Sequence, residues 1–257
     1  MTMFSGRRIN TILAAVFLCG ISLPAQADGA RYVLSLSWQP TFCDSDAGAS
    51  KSECSGLDEG DWAASHFTLH GLWPNADRNG DGRLDEADDY CLPPESRAQA
   101  IAQDRADWAK LPAVRLPPDL QQRLTQIMPG TVSRLERHQW IKHGSCSGLS
   151  MPRYFGAAVS LAEAMAETDF NNLVAAAAGE DIARRDLLAA FATEFGKGSE
   201  RALQLVCRKD AGLSVLSEVR LHLRADAVEK ELSAWSLETG RVAKGSCPAL
   251  FRIKAAN

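Results

Sequence analysis

Four of the five histidines fall in two short segments, His66 and His70 in the first, His138 and His143 in the second. Imidazole titrates near neutrality, so a pair of them can take one proton and give another within one reaction. On a helix Gln139 and His143 lie four residues apart, and Lys142 lies three from Gln139. The three therefore share one face, flanked by His138. A fixed cation beside a titratable base is what phosphoryl chemistry requires. The base removes a proton from the attacking hydroxyl, an acid protonates the departing oxygen, and the cation meets the charge on the phosphorane. RNA suits such a pair because its 2′-hydroxyl is a built-in nucleophile. Zinc fits less well. His66 and His70 have the i, i+4 spacing of helical zinc ligands, but Phe67-Thr68-Leu69 between them favours a strand. There the two rings would stand about 13 Å apart at ~3.3 Å per residue.

The elements that must carry these residues can be read from periodicity. Arg31–Trp38 alternates Tyr32, Leu34, Leu36 and Trp38 with smaller residues, as a half-buried strand does. His66–His70 reads as a second strand, ended by Gly71 and Pro74. A Gly-, Asp- and Asn-rich loop follows from Asn75 to Asp89. Pro118–Met128 is expected to be a helix with Leu120, Leu124 and Ile127 on one side. Ser133–Ser145, Tyr154–Phe170 and Arg184–Phe195 are further helices, the last two rich in Ala, Leu and Glu. Leu203–Cys207 and Ser217–Leu223 look like paired strands around a turn at Asp210–Gly212. No repeat or linker divides the chain, which predicts a single α+β domain.

Residues 1–27 read as a signal peptide. Arg7 and Arg8 precede an apolar run, Ile12–Ile21, and Ala25-Gln26-Ala27 forms a cleavage site. The domain is then 28–257, exported to the periplasm or beyond, with no membrane span after removal of the leader. Removal takes two arginines and no acid, leaving 26 basic against 32 acidic residues and a charge of −6 in place of −4. That balance does not advertise a nucleic-acid binder, although an enzyme with a transient substrate needs only a local positive site. Cys43, Cys54, Cys91, Cys146, Cys207 and Cys247 remain. An even number in an oxidising compartment predicts three disulfides, and spacing leaves their pairing open. Independently, Asp77–Asp88 has the spacing of an EF-hand calcium loop. Asp77, Asn79, Asp81, Asp85 and Asp88 supply side-chain oxygens, Arg83 a carbonyl, and Gly82 the turn. A calcium ion there would brace the loop rather than take part in chemistry.

Phe67-Thr68-Leu69-His70-Gly71-Leu72-Trp73-Pro74 and His138-Gln139-Trp140-Ile141-Lys142-His143-Gly144-Ser145-Cys146 resemble the two active-site signatures of the ribonuclease T2 family. Supporting resemblance runs from Arg31-Tyr32 through Ser37-Trp38-Gln39 and Cys43 to Cys247. It implies a central antiparallel sheet flanked by helices and metal-independent cleavage of single-stranded RNA, with no DNA substrate; a monomer is expected, though the sequence does not give the oligomeric state. It implies that His70 is the general acid and His143 the general base. His138 would bind the scissile phosphate, Lys142 would stabilise the pentacovalent intermediate, and Trp73 would stack on a base. The product would be a 2′,3′-cyclic phosphate, then a 3′-phosphate. The implied disulfides are Cys43–Cys54, Cys91–Cys146 and Cys207–Cys247. The departure is Gln139, a catalytic position where the family has glutamate; the amide keeps size and hydrogen bonding but cannot relay a proton. Two readings of other classes stay open here, a catalytically weakened RNA- or nucleotide-binding relative and a calcium-stabilised extracellular interaction domain.

Overall fold

The computed structural model describes residues 31–240 and 245–256, together with Met1. The signal-peptide reading thus lies, Met1 apart, outside the described residues. Strands run in chain order as β1 (Arg31–Trp38), β2 (Phe67–Asn75), β3 (Asp181–Ala183), β4 (Leu203–Asp210), β5 (Leu213–Leu223) and β6 (Leu250–Arg252). The helices are α1 (Gln39–Cys43), α2 (Trp62–Ser65), α3 (Pro94–Ala106), α4 (Pro118–Ile127), α5 (Leu135–Lys142), α6 (Met151–Ala166), α7 (Asp169–Ala176) and α8 (Arg184–Phe195).

All six strands join one sheet in the order β2-β1-β5-β6-β3, with β4 on the other edge of β5. Pairing is antiparallel except for a single parallel pair, Val215 with Arg252, between β5 and β6. The chain is a single α+β domain, as its periodicity predicts.

One face of the sheet makes the core. Leu34, Leu36, Trp38, Phe67, Leu69, Leu72, Val219 and Leu221 are buried there with Tyr154, Phe155, Val159 and Met165 of α6. Each such aliphatic or aromatic side chain contributes roughly 1.5–3 kcal/mol when taken fully from water. The helix expected over Tyr154–Phe170 is two elements. Thr168 Oγ1 accepts from Asn171 N at 3.1 Å and so caps α7, as a threonine outside a helix interior does. The break has a consequence for the site. Buried Asn171 accepts from Phe67 N at 3.0 Å and donates to the Ser65 carbonyl at 3.2 Å, which pins the start of β2. The helix expected over Ser133–Ser145 is shorter too. Arg134 stands left-handed (φ 66°) at its start, and after Lys142 the chain tightens into a 3-10 turn, Gly144–Cys146.

Candidate active site

The strand expected to end at His70 continues to Asn75, and a β-bulge is what makes this possible. Leu69 pairs with Leu36 and Gly71 with Ser35, so His70 is the extra residue between them. A bulge shifts the alternation by one and re-aims the side chains beyond it. Leu72 thereby stays on the core face beside Leu69, while His70, Gly71 and Trp73 turn to the other face. Ser35, Ser37, Thr68, Glu218 and Arg220 pair across the strands on that same face. The polar face of the sheet meets α5, which carries His138, Gln139 and Lys142, with His143 just past its last residue.

Each of the three signature histidines has its Nδ1 on a carboxylate. His70 meets Glu218 Oε1 at 2.6 Å, His138 meets Asp104 at 2.8 and 2.9 Å, and His143 meets Asp89 Oδ1 at 3.1 Å. Burial would push the Glu218 carboxyl up, but the hydrogen bond and charge of His70, with Arg220 beside them, outweigh it and lower its pKa to about 2. Asp104 behaves alike. Burial raises it, and hydrogen bonds from His138 and Tyr90 bring it below its ordinary value. At His143 burial is the largest influence and lowers the pKa; Asp89 pushes the other way and loses, while Lys142 and His138 add to the lowering. His143 therefore stays neutral further into acid than a free imidazole. Lys142 Nζ lies 4.0 Å from the second oxygen of Asp89.

Asp89 and Asp104 are held in place from several sides. Tyr90 N donates to the Lys142 carbonyl at 2.9 Å, and the disulfide Cys91–Cys146 ties the same segment to the end of the α5 turn. Tyr90 Oη donates to Asp104 at 2.7 Å, and α3 delivers that aspartate.

Trp73 stands between the two histidines of the paired signatures. Its ring centre is 5.3 Å from that of His70 and 5.5 Å from that of His143. Nε1 donates to Gln139 Oε1 at 2.9 Å, and the Arg220 guanidinium lies 5.1 Å from the ring centre. Gln139 is 1% exposed, so its amide faces Trp73 and not open solvent. Gly71 is required here, because a Cβ would come within 2.0 Å of Gln139 Oε1 and 2.5 Å of Trp73 Nε1. A cleft of about 310 Å³ opens beside His70 and Glu218, walled by Gln39, Lys51, Thr68 and Trp108 among others. Trp108 also stacks on His138 at 4.8 Å.

Residues 29–234 match the ribonuclease T2 family. The chain belongs to the ribonuclease T2 family. Ribonuclease I of Escherichia coli (strain K12) is 33% identical over 270 aligned residues, spanning 96% of this chain and 97% of that protein. A ribonuclease of Aeromonas hydrophila is 29% identical over 149 residues, 56% of this chain and 52% of its own. Among solved structures, ribonuclease MC1 from the seeds of bitter gourd superposes with a TM-score of 0.57 at 20% identity, covering 87% of this chain and 99% of that one. The self-incompatibility SF11-RNase of Nicotiana alata gives 0.56 at 18% identity, covering 90% and 100%. Such distant likeness shows the fold, and family membership gives the enzyme class, an RNA endonuclease of the T2 type.

Within this T2 ribonuclease His70, His143 and Gln139 meet the Trp73 indole, His138 lies edge-on to His143 at 6.1 Å, and Lys142 shares Asp89 with His143. It leaves His66 aside; that ring stacks on Trp62 at 4.6 Å and its Nδ1 lies 2.9 Å from the Trp62 carbonyl. The disulfides are Cys43–Cys54, Cys91–Cys146 and Cys207–Cys247, the pairs the family resemblance implies. The calcium-type loop is bound up with its own backbone. Asp77 accepts from the amides of Gly80, Asp81 and Gly82, Asp81 from Arg83, Asp85 from Ala87, and Asp88 from Arg78, Asn79 and Asp85. Among the described residues no group of three or more His, Cys, Asp or Glu side chains is arranged to hold a metal ion. Glu218, Asp89, Asp104 and Trp108 were not anticipated from sequence. No helix among the described residues is long and apolar enough to cross a membrane.

Proposed function

We propose that this T2 ribonuclease is exported by residues 1–27 to the periplasm or the exterior, where the domain 28–257 cleaves single-stranded RNA by transphosphorylation. His143 takes the 2′-hydroxyl proton, and the 2′-oxygen attacks phosphorus. The bond from phosphorus to the 5′-oxygen breaks as His70 protonates that oxygen. Lys142 meets the charge of the phosphorane, and His138 binds the phosphate. The 2′,3′-cyclic phosphate is then opened by water to a 3′-phosphate, with the two histidines exchanging roles. Trp73 spaces the two histidines and offers a base the part of its indole that Arg220 leaves open. Gln139 fixes the indole through Nε1 and transfers no proton.

The observation that carries this reading is the placing of His70 and His143 on either side of Trp73, each with Nδ1 bound to a carboxylate. That leaves Nε2 of both for the substrate. A neutral buried imidazole suits the base, and an imidazole paired with an ionised Glu218 suits the acid. Solved relatives of the same fold bind mononucleotides, as the complex of RNase NT with 5′-AMP illustrates.

The test is cleavage of a single-stranded oligoribonucleotide in EDTA, with products weighed by mass spectrometry. A cyclic phosphate should appear first, and a DNA strand of the same sequence should stay intact because it lacks the 2′-hydroxyl. His70→Ala and His143→Ala should each lower turnover by at least about 100-fold. A folded variant keeping more than about a tenth of wild-type turnover would remove that histidine from its role.

A further inference from the structure

We propose that Glu218 is a positioning residue for the reaction. It holds the His70 ring so that Nε2 carries the proton delivered to the leaving 5′-oxygen, and Arg220 in turn fixes Glu218. The inference rests on the reading of His70 as the acid.

His70 needs such a partner because of where it sits. It is the unpaired residue of a bulge, and its side chain is 33% exposed. Within β2 the ring is bordered edge-on by Trp73 at 5.3 Å, a contact that does not decide which nitrogen carries the proton. Glu218 comes from β5, two strands away, since β1 runs between β2 and β5. Ser37 of β1 pairs with Thr68 on one side and with Glu218 on the other. A serine at that point is small enough for the glutamate to reach across β1 and meet His70 Nδ1 at 2.6 Å. A larger side chain on the same face would stand in the way.

The other oxygen of Glu218 is equally committed. Arg220 lies two residues along β5, on the same face, and donates to Glu218 Oε2 from Nε at 3.0 Å and from Nη2 at 2.7 Å. The same guanidinium lies over the Trp73 ring. Both oxygens of the carboxylate are therefore fixed, and the imidazole is fixed through them. With Nδ1 donating to Glu218, Nε2 is the nitrogen left for the cleft that His70 and Glu218 both line. In the imidazolium both nitrogens carry protons. After Nε2 gives its proton to the 5′-oxygen, the neutral ring keeps its proton on Nδ1 and its lone pair on Nε2. That is the tautomer able to take a proton from water when the cyclic phosphate is opened.

Charge acts in the same direction. Glu218 stays ionised through any neutral or mildly acidic medium, so it remains an acceptor for His70 Nδ1. The corresponding carboxylate at His143 is longer, at 3.1 Å, and is shared with Lys142. The two imidazoles thus differ in how tightly the carboxylate behind each is committed to the ring.

The experiment compares Glu218→Gln, which keeps the size and an acceptor oxygen but loses the charge, with Glu218→Asp, which keeps the charge on a shorter arm. Glu218→Gln should lower kcat by about 10- to 100-fold, part of what a positioned acid contributes, with KM little changed. Glu218→Asp, which keeps a charged acceptor, should lower kcat by less. In the wild-type protein at alkaline pH, long-range ¹H–¹⁵N spectra should show the Nδ1–H tautomer of His70, and Glu218→Gln should show a mixture. A folded Glu218→Gln with wild-type kcat and an unchanged tautomer would reduce the pair to a structural contact. An Nε2–H tautomer in the wild type would overturn the inference even if no variant folded. His70→Ala separates the two ideas. If that variant cuts RNA, the acid assignment fails; if it does not, and Glu218→Gln behaves as wild type, only the role of Glu218 fails.

Discussion

Gln139→Glu restores the family residue at a position the structure shows to be closed, and its cost can be worked out. The amide is 1% exposed; Oε1 has one donor, Trp73 Nε1 at 2.9 Å, and buried Nε2 has no partner. A carboxylate in its place would keep that one hydrogen bond and find no donor for its second oxygen. Desolvating a charge on those terms costs several kcal/mol, so the group keeps its proton instead. Buried glutamates with pKa values raised by about 2–3 units and more are the rule in such surroundings. Each unit is about 1.4 kcal/mol, so the variant should lose about 3–4 kcal/mol between acid and alkaline pH that wild type does not lose. The sign follows from the proton count. Unfolded, the new carboxyl ionises near pH ~4.3, while folded it remains protonated, so stability falls as pH rises through that window until the folded group ionises too. Urea midpoints of wild type and variant, measured from about pH 4 to pH 8, should therefore start close together and diverge. Cleavage near pH ~5 should survive, because a protonated carboxyl still accepts from Trp73. Parallel stability curves over the whole range would refute the reasoning. They would mean that the new charge is hydrated or paired and that Gln139 does not lie in a dry contact.

Asp89→Asn removes the group that opposes burial at His143, so the acidic limb of kcat/KM against pH should move to still lower pH; an upward movement would contradict the balance of influences there. Gly71→Ala should cost about 1–3 kcal/mol by overpacking and should lower kcat, because the new Cβ forces Trp73 and Gln139 apart; the melting temperature and near-UV circular dichroism of the indole report it. Tyr154→Phe strips the donor from the buried Leu72 carbonyl, now met at 2.7 Å, and should cost about 1–3 kcal/mol by urea denaturation. EDTA should leave cleavage unchanged, since the proposed proton transfers belong to imidazoles and the cation is Lys142; inhibition by chelation would overturn the metal-free scheme.

The sequence by itself determined the family and much of the scaffold. Histidine is rare in this chain, so two clusters of it stand out, and the signatures around His70 and His143 carry the family in their own letters. Alternation along β1 and the helical spacing of Leu120, Leu124 and Ile127 are local patterns, legible because burial repeats with the period of the element. The end of β2 was not legible, because a bulge at His70 breaks the alternation that marks a strand, and it does so to keep Leu72 in the core while turning Trp73 to the site. The division between α6 and α7 was hidden by uniform helix-forming composition and rests on one cap at Thr168. What orients the histidines was decided only in three dimensions. Glu218 is 148 residues from His70, Asp89 is 54 from His143 and Asp104 is 34 from His138. No periodicity spans such separations. Strand order places Glu218, a disulfide and a backbone hydrogen bond place Asp89, and a separate helix places Asp104. The histidines themselves are written in the chain, whereas the direction of each imidazole comes from partners that only the packed sheet and helices bring within reach.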